Sequence, residues 1–498
     1  MKKNILIILL HCNLFCLAQN QNSVWIFGDS AGVDFSNLNN PVPIISTMRG
    51  RGSCVSISDS FGQLLFYAYD VVNTSMQSTH VNNGQNQLLS NGDSVFGGGW
   101  YNELIILPMP DSSNKYYLIS VMFGPYHGLY YSVIDMNANG GLGAVTQKNV
   151  QLNNISSIDG VTAIKHGNGR DWWLVFKPEG YSSPANNDFY VYLFTPYGIT
   201  SLSVQSTGYV ITTNAGCLSF NKQGDKLLMT DLRNLIQLFD FDRCTGQLNN
   251  PVIVEPEHIE SGSHFSNCFS PDGSKIYVTR TLAGAGQQDS WLYQYDLTAS
   301  NIAASRDTIY HPFAPEQGGT IRLAPDDKIY ISFGYYAYYF PYPDSMYYTG
   351  NMNLSVINRP DSLGDSCLFA PYSFYLGGKR TYYGLPNNPD YEMGPLIGSG
   401  CDSLVGVQSI KYEEQRQELH VFYHPGWQVA FVNAEGLKGK NYSLHVYDLT
   451  GREVFKEAGK LNGAYYTKDL RCEGFANGLY VVNLRTEKEV LSKKFIKQ

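Results

Sequence analysis

Four aspartates that recur within one kind of turn are the first side chains in this sequence that could carry chemistry. Asp59, Asp111, Asp272 and Asp326 each stand in a short turn between two apolar runs. Two carboxyl groups that face one another can act as general acid and base, as in enzymes that cleave glycans. However, an aspartate that repeats with its turn usually caps that turn through backbone N–H groups. We therefore predict a structural role for all four.

Histidine and glutamate offer a second route to catalysis. His264 and His311 precede successive hairpins, and together with Glu316 they would form a cluster if the loops before the first strands converge. No metal-ligand spacing accompanies them, and the sequence has no nucleophile-elbow or phosphate-binding motif in the right setting. The sequence favours surface or core histidines, and it predicts no catalytic, metal-binding or cofactor-binding residue.

Tyrosines are concentrated in residues 332–350, which carry seven of them between one hairpin and the next strand. Rigid amphipathic rings on a loop suit the stacking of sugars or of a protein partner. The alternative is that these rings only fill gaps between neighbouring sheets. We predict this stretch as the best binding candidate, through Tyr335, Tyr336, Tyr338, Tyr339 and Tyr342.

The element that must position these residues is a repeated β-hairpin. An apolar run, a turn rich in Gly, Pro, Asp or Asn and a second apolar run occur six times, most clearly at Asn267–Val278 and Leu218–Met229. The turns lie 49 to 56 residues apart, and further strands follow most hairpins. A four-stranded sheet repeated in this way predicts an all-β fold, a β-propeller. Additional strands near Val24 and Val42, with the segment Phe369–Tyr383, favour seven blades over six.

Composition and charge limit the class of partner. Apolar residues make up 43% of the chain and charged residues only 16%, which fits an exported β-protein with a sizeable core. Residues 19–406 carry a net charge of −13, whereas residues 407–498 carry +3. An acidic body argues against nucleic acid as a partner, because phosphates require a basic face.

The N-terminus predicts export. Lys2 and Lys3 precede the apolar run Ile5–Leu17, which is too short to span a bilayer and suits a signal peptide over residues 1–18. Small residues before the junction place cleavage between Ala18 and Gln19, and a lipoprotein at Cys16 is the weaker alternative. No later run is long and apolar enough for a transmembrane segment. Seven cysteines remain after cleavage, so one or two disulfides can form, but the sequence does not give their pairing.

Three short β-type runs end the chain, at Tyr442–Asp448, Gly478–Leu484 and Val490–Lys497. Their motifs are Tyr-Asp-x-x-Gly-Arg, Asn-Gly-Leu-Tyr-Val-Val and Lys-Lys-Phe-Ile-Lys-Gln. In this order they resemble the type A C-terminal sorting domain of the bacterial type IX secretion system. The resemblance implies a small β-sandwich at residues 407–498 that the secretion machinery reads. It assigns the sorting signal to Pro425, Asp448, Gly451, Gly478, Tyr480, Lys494 and Lys497.

The tail departs from that family at one place. Its usual opening element is Tyr-Pro-Asn-Pro, whereas this chain has Tyr423-His-Pro-Gly-Trp427. Pro425 is the residue that matches.

A second resemblance covers the body. Trp25–Phe35 and Tyr383–Pro386 resemble the bounds of an uncharacterised propeller family, whose members are exported by gliding-type Gram-negative bacteria and commonly carry this tail. The resemblance implies a propeller over residues 19–385 and a linker over residues 386–406.

Together these features predict an exported protein, extracellular or on the outer-membrane surface. We expect it to act as a binding or adhesion module for extracellular polysaccharide or a surface protein, without a cofactor. Two alternatives remain: a glycan hydrolase or lyase built on the propeller, and a structural component of the surface or motility apparatus.

Overall fold

Short antiparallel strands make up almost the whole chain in this computed structural model. It describes residues 20–71, 78–98, 100–181, 184–258, 262–281, 289–313, 316–335, 348–402, 418–461 and 464–497, and the structural statements below concern these residues. The strands are interrupted by one short helix, α1 (Thr349–Met352), and by 3-10 turns at Gly124–Tyr126, Asn139–Gly141, Ala303–Ser305 and Gly364–Cys367. The predicted signal peptide and the Ala18–Gln19 junction lie outside the described residues.

The strands of the body follow one another as hairpins. They are β1 (Val24–Phe27), β2 (Asp29–Asp34), β3 (Val42–Ser58), β4 (Leu64–Val71), β5 (Ser78–Asn83), β6 (Leu104–Pro108), β7 (Lys115–Met122), β8 (Gly128–Asp135), β9 (Ala144–Asn153), β10 (Val161–Lys165), β11 (Trp172–Phe176), β12 (Asn186–Thr195), β13 (Gly198–Ile211), β14 (Ala215–Phe220), β15 (Lys226–Asp231), β16 (Ile236–Asp242), β17 (Gln247–Glu255), β18 (Ser263–Phe269), β19 (Lys275–Thr281), β20 (Ser290–Asp296), β21 (Asp307–Tyr310), β22 (Glu316–Leu323), β23 (Ile329–Tyr335), β24 (Asn353–Ile357) and β25 (Phe369–Tyr375).

Six blades form around a common axis. The second half of β3 with β4 and β5 is blade 1, and β6–β9, β10–β13, β14–β17, β18–β21 and β22–β25 are blades 2 to 6. The first strands of successive blades touch in the order β3, β6, β10, β14, β18, β22. Each blade is antiparallel, so every first turn lies on one face of the ring, called here the turn side. The opposite face is called the loop side.

A seventh blade closes the ring from both ends of the body. β1, β2 and the first half of β3 form a three-stranded sheet, and residues 380–388 run antiparallel beside β1. The backbone N–H of Asp29 donates to the carbonyl of Arg380 at 2.8 Å, and Asn388 donates to Asn22 at 2.8 Å. On the other side the N–H of Thr320 in blade 6 donates to the carbonyl of Tyr383 at 2.7 Å. The predicted preference for seven blades thus describes the observed ring, although Phe369–Tyr375 belongs to blade 6.

Apolar and aromatic side chains fill the spaces between blades. Rings from adjacent blades meet edge to face, the geometry that the aromatic quadrupole favours. Centroids lie 5.1 Å apart between blades 1 and 2, 2 and 3, and 3 and 4, in the pairs Phe66–Tyr116, Tyr117–Phe194 and Phe189–Phe239. The core is therefore a series of sheet-to-sheet layers rather than one central cluster.

The repeated turns carry the aspartates predicted to be structural. Asp59, Asp272 and Asp326 each accept the backbone N–H of the residue two positions further along, at 2.8, 2.8 and 3.3 Å. Asp111 instead pairs with Arg170 from the neighbouring turn at 3.0 Å. The first three carboxylates thus cap the turns in which they stand, as predicted, whereas Asp111 joins its turn to the neighbouring one.

The segment expected as a linker is packed against the propeller as far as Asp402. The side chain of Asn387 is buried in the channel, and the hydroxyl of buried Tyr391 donates to the carbonyl of Ile106 at 3.1 Å. A disulfide joins Cys401 to Cys244, which are 157 positions apart, and fixes the end of this segment to the turn side of blade 4. The other five cysteines of the described residues are free and buried.

The C-terminal domain is a β-sandwich. Its strands are β26 (Glu418–His424), β27 (Val429–Glu435), β28 (Asn441–Asp448), β29 (Glu453–Lys460), β30 (Tyr465–Arg471), β31 (Gly478–Thr486) and β32 (Val490–Lys497). They form one sheet in the order β26-β27-β30 and another in the order β29-β28-β31-β32. Inward apolar residues alternate with outward polar ones along β28 and β31, which is why the predicted runs become strands of a two-layer domain.

We expect the closing segment to be sensitive to single added methyl groups. A Cβ at Gly384 would lie well inside van der Waals contact with the carbonyl oxygen of Gly52, whereas a Cβ at Gly394 meets nothing within 4 Å. Gly384→Ala should therefore lower the free energy of unfolding by about 2 kcal/mol, a typical cost of overpacking. Gly394→Ala, in the same segment, is the matched control. Equal thermal midpoints for both variants, measured by calorimetry, would show that this contact does not hold the ring closed.

Candidate functional site

The centre of the channel is occupied by a buried arginine. Arg322 projects from β22, and its Nε donates to the carbonyl of Pro386 at 3.1 Å. One terminal nitrogen donates to the side-chain oxygens of Asn102 and of Asn387, the latter at 3.2 Å. The planar guanidinium thus meets acceptors from two sides, and its charge is held by neutral amide and carbonyl dipoles.

The two asparagines extend this network to other blades. Asn102 donates to the carbonyl of Gly216 in blade 4 at 3.1 Å. Asn387 donates to the carbonyls of Leu104 in blade 2 and Val161 in blade 3, at 3.3 and 3.4 Å. The first strands of blades 2, 3, 4 and 6 are therefore tied together across the axis, which closes the middle of the channel.

A buried pair of acids lies on the loop side of this network. Asp70 at the end of β4 accepts a hydrogen bond from Thr79 at 2.5 Å, and the carboxyl group of Glu103 accepts the N–H of Trp100 at 2.9 Å. Burial first, and then the charges of Asp70 and Asp159, raise the pKa of Glu103 well above its usual range. Glu103 therefore favours its protonated form, which can hydrogen bond to Asp70.

A third acid stands beside the pair. Burial raises the pKa of Asp159 to about 7, although the N–H groups of Tyr101 and Asn102, at 2.8 and 2.5 Å, act in the opposite direction. Three carboxyl groups in one buried region could in principle supply acid–base chemistry.

Backbone covers the acid pair. A Cβ at Gly97 would clash with the Asp70 carboxylate, and a Cβ at Gly98 would clash with that of Glu103. This close approach explains why positions 97 and 98 are glycines. Sequence reasoning missed the pair because Asp70 and Glu103 are far apart in the chain, one near the end of β4 and the other directly before β6. In this arrangement the pair is inaccessible to a substrate.

The cluster of His264, His311 and Glu316, which the sequence analysis considered but did not favour, does not form. His264 is buried with its Nε2 3.9 Å from Glu255, and burial lowers its pKa to about 3. The Glu316 carboxylate accepts a hydrogen bond from the hydroxyl of Tyr372. Glu316 thus has its partner within blade 6, whereas His264 lies against Glu255 of the neighbouring blade 4.

His311 belongs instead to a row of stacked side chains on blade 5, named here the aromatic ladder: Arg280, Trp291, His311 and Phe313. The guanidinium of Arg280 lies 5.3 Å from the Trp291 ring, and the His311 ring stacks on Trp291 at 4.8 Å with 13° between planes. Phe313 follows at 4.9 Å and is 70% exposed. A carboxylate oxygen of Asp289 lies 3.5 Å from His311. The ladder thus ends in the exposed ring of Phe313, and the carboxylate of Asp289 lies beside His311, the ring before it.

The predicted ligand-binding tyrosines begin at the neighbouring strand. Tyr335 ends β23, where its backbone pairs with Glu316, three residues after Phe313. Tyr336, Tyr338, Tyr339 and Tyr342 lie outside the described residues.

A small cavity of about 190 Å³ opens on the turn side of the channel. Its lining combines polar and charged side chains, such as Asn221 and Lys222, with apolar ones, such as Leu218, Phe220 and Met393. Lys222 and Asp327 form an ion pair at 2.5 Å beside it. The cavity is smaller than the sites that hold drug-sized ligands, about 300 Å³ upward, so it has room only for a small molecule.

The predicted sorting residues adopt defined local structures. Asp448 caps its own turn by accepting the N–H groups of Thr450 and Arg452, and Gly451 supplies the positive φ of 80° that this turn requires. The ammonium of Lys497 is buried and donates to the carbonyls of Cys472 and Phe475 at 2.7 and 2.6 Å.

The other predicted sorting residues lie elsewhere in the domain. Pro425 lies in the β26–β27 turn, Gly478 begins β31, Tyr480 donates to the carbonyl of Ala476 at 2.5 Å, and Lys494 is exposed on β32. Their role in sorting remains a prediction.

Comparison with known proteins identifies the C-terminal domain. Residues 425–498 match the family of secretion system C-terminal sorting domains. This sorting domain is of the type IX system and indicates export to the cell surface or beyond. No helix among the described residues is long and apolar enough to cross a membrane.

Solved structures resemble the chain only distantly. PorZ, a surface component of the type IX secretion system of Porphyromonas gingivalis, is 11% identical with a TM-score of 0.34, over 96% of this chain and 69% of that one. Hydrazine synthase of Kuenenia stuttgartiensis is 11% identical with a TM-score of 0.35, over 86% and 95%. The Cps50 (Swd1) β-propeller domain of Myceliophteria thermophila is 10% identical with a TM-score of 0.33, over 63% and 94%. Similarity at this level says nothing about function. No curated protein matches the chain.

We predict that the acid pair makes stability fall as pH rises. Because the pKa of Glu103 is higher in the folded than in the unfolded chain, the fold is favoured at low pH and loses stability as pH rises from about 4.5 through the folded value. Glu103→Gln, which stays neutral, should exceed the wild type in unfolding free energy at pH 8 by at least about 1 kcal/mol. That advantage should disappear near pH 4.5 in denaturant titrations. Exposed Glu473→Gln is the control; a Glu103→Gln profile parallel to wild type would refute the assignment.

Proposed function

We propose that this protein is an exported binding module that holds an extracellular saccharide on the aromatic ladder of blade 5. The observation that carries this proposal is Phe313, an aromatic side chain 70% exposed whose ring lies 4.9 Å from that of His311, which in turn stacks on Trp291. Single exposed apolar side chains are common on protein surfaces, and Phe61 is 77% exposed, so it is the row of rings behind Phe313, and not its exposure alone, that favours a ligand.

The chemistry of the ladder suits a sugar. One face of a pyranose presents C–H bonds, which pack on an aromatic ring, while its hydroxyls project from the rim and seek hydrogen bonds. Asp289, whose side chain is 42% exposed, can accept such a hydrogen bond beside the ring of His311. Arg280 stiffens the support through its contact with Trp291.

The surroundings of the ladder enlarge the proposed surface. The tyrosine-rich stretch follows β23 of the neighbouring blade 6 in the chain, and we include its tyrosines in the proposed surface. The net charge of −13 over residues 19–406 favours a neutral or cationic polysaccharide over a strongly anionic one.

The enzyme alternative lacks comparable support. Its acids would be Asp70 and Glu103, and both are buried beneath the backbone of Gly97 and Gly98. Hydrolysis or elimination would require this backbone to move before any glycan could approach.

The test combines retention and cleavage. The full chain is passed over immobilised extracellular and cell-wall polysaccharides, and retained protein and released reducing ends are measured together. We expect retention on at least one neutral glycan without new reducing ends. Phe313→Ala and a variant with Tyr335, Tyr336, Tyr338 and Tyr339 all changed to alanine should each reduce retention at least about tenfold, equivalent to about 1.4 kcal/mol.

The matched control is Tyr197→Ala, which removes a ring 64% exposed on another blade and should leave retention unchanged. Cleavage would favour the hydrolase or lyase instead. An absence of both retention and cleavage would favour a structural component of the cell surface.

A further inference from the structure

The sorting domain lies against the side of blade 2. The outer strand β9 contacts β26, β27 and β30, so one sheet of the sandwich faces the propeller and the other faces away.

Aromatic rings from both domains surround Phe96, which is fully buried at the interface. Tyr130 comes from the propeller, with its centroid 4.9 Å away. The rings from the sorting domain are His424 at 5.2 Å, Trp427 at 5.5 Å, Phe422 at 5.8 Å and Phe431 at 5.8 Å. These distances lie within the range of favourable aromatic pairs, and the cluster excludes water from the centre of the contact.

A buried charge stands beside the rings. The side chain of Lys148 in β9 has no exposed surface, and its ammonium lies 3.1 Å from Asp469 of the sorting domain and 3.8 Å from Asp93 of the propeller. Asn433 donates across the interface to the carbonyl of Lys148 at 2.9 Å. An ammonium buried in this way needs its carboxylate partner, because an unpaired buried charge costs several kcal/mol, and the pair thus fixes the orientation of the domain.

The opening element Tyr423–Trp427 supplies the closest contacts. The imidazole of His424 is 2% exposed, and its ring lies 3.7 Å from that of Tyr126 and 4.5 Å from that of Trp427. The N–H of Gly426 donates to the hydroxyl of Tyr126 at 2.7 Å. Burial lowers the pKa of His424 to about 4, which keeps this ring neutral among its aromatic neighbours. These are the positions where the chain departs from the Tyr-Pro-Asn-Pro element of its sorting family.

We propose that Tyr423–Trp427 is a docking element that fastens the sorting domain to blade 2 of its own propeller and is not a signal read during export. The residues that distinguish this element from the family pattern, His424 and Trp427, make their contacts with Phe96 and Tyr126 of the propeller. The sheet formed by β29-β28-β31-β32, which carries exposed Lys494, faces away and stays open to the secretion machinery.

The experiment uses the full chain with Phe96→Ala, Trp427→Ala and both together. Phe96→Ala leaves the sorting domain unaltered in sequence, so its effect cannot come from misfolding of that domain. We expect a larger maximum dimension in small-angle X-ray scattering and at least about tenfold faster hydrogen exchange at interface amides of β9. Because the two rings touch, the double variant should add little to either single change. Tyr197→Ala, which removes an exposed ring on blade 3, is the control and should match the wild type.

Export is measured on the same variants as the fraction of protein outside the cell. We expect export within about twofold of wild type even when the sorting domain is no longer held against blade 2. Scattering and exchange unchanged in Phe96→Ala and Trp427→Ala would show that the rings do not fasten the domain. Loss of export in Trp427→Ala with export retained in Phe96→Ala would show that the element is a signal, which overturns the proposal.

Discussion

Closure of the ring is the constraint on which the rest of the structure depends. A sheet that ends on an open edge exposes unpaired N–H and C=O groups, and seven blades avoid this only if the last meets the first. Here the closing blade is assembled from both ends of the body, with residues 380–388 laid beside β1. The ion pair of buried Arg380 with Asp29 reinforces that seam. This path also determines the course of the segment that follows Arg380. The chain enters the channel at Asn387, crosses the turn side and is fixed by the Cys244–Cys401 disulfide.

The closed ring also limits where a ligand can bind. Arg322, Asn102 and Asn387 occupy the middle of the channel, so the axis offers only a small cavity on the turn side. The acids Asp70 and Glu103 are buried beneath backbone. The proposed binding surface therefore lies at the rim of the ring, on blade 5, and not in the channel.

The sequence predicted the features that depend on local spacing. The hairpin repeat and the capping aspartates follow from alternation and turn residues, which act over a few positions. The preference for seven blades came from counting extra strands at both ends of the body, and the small β-sandwich at the tail from the resemblance to the sorting family. The sequence did not predict the contacts between distant positions. Glycine and proline after Pro386 suggested a linker, yet Asn387 and Tyr391 are buried, because burial of that segment depends on a channel that only the whole ring creates. Three other features also join positions that are distant in the chain: the Cys244–Cys401 disulfide, the Asp70–Glu103 pair and the ring cluster around Phe96. The stacking of His311 with Trp291 and Phe313 also joins separate strands and has no signal in the sequence.

The most direct test of the central claim is a crystal structure of the protein bound to an oligosaccharide that it retains. The account predicts a sugar ring packed on Phe313, with a hydroxyl within hydrogen-bond distance of Asp289. An oligosaccharide found instead in the turn-side cavity near Asn221 and Lys222, with the aromatic ladder empty, would contradict the account.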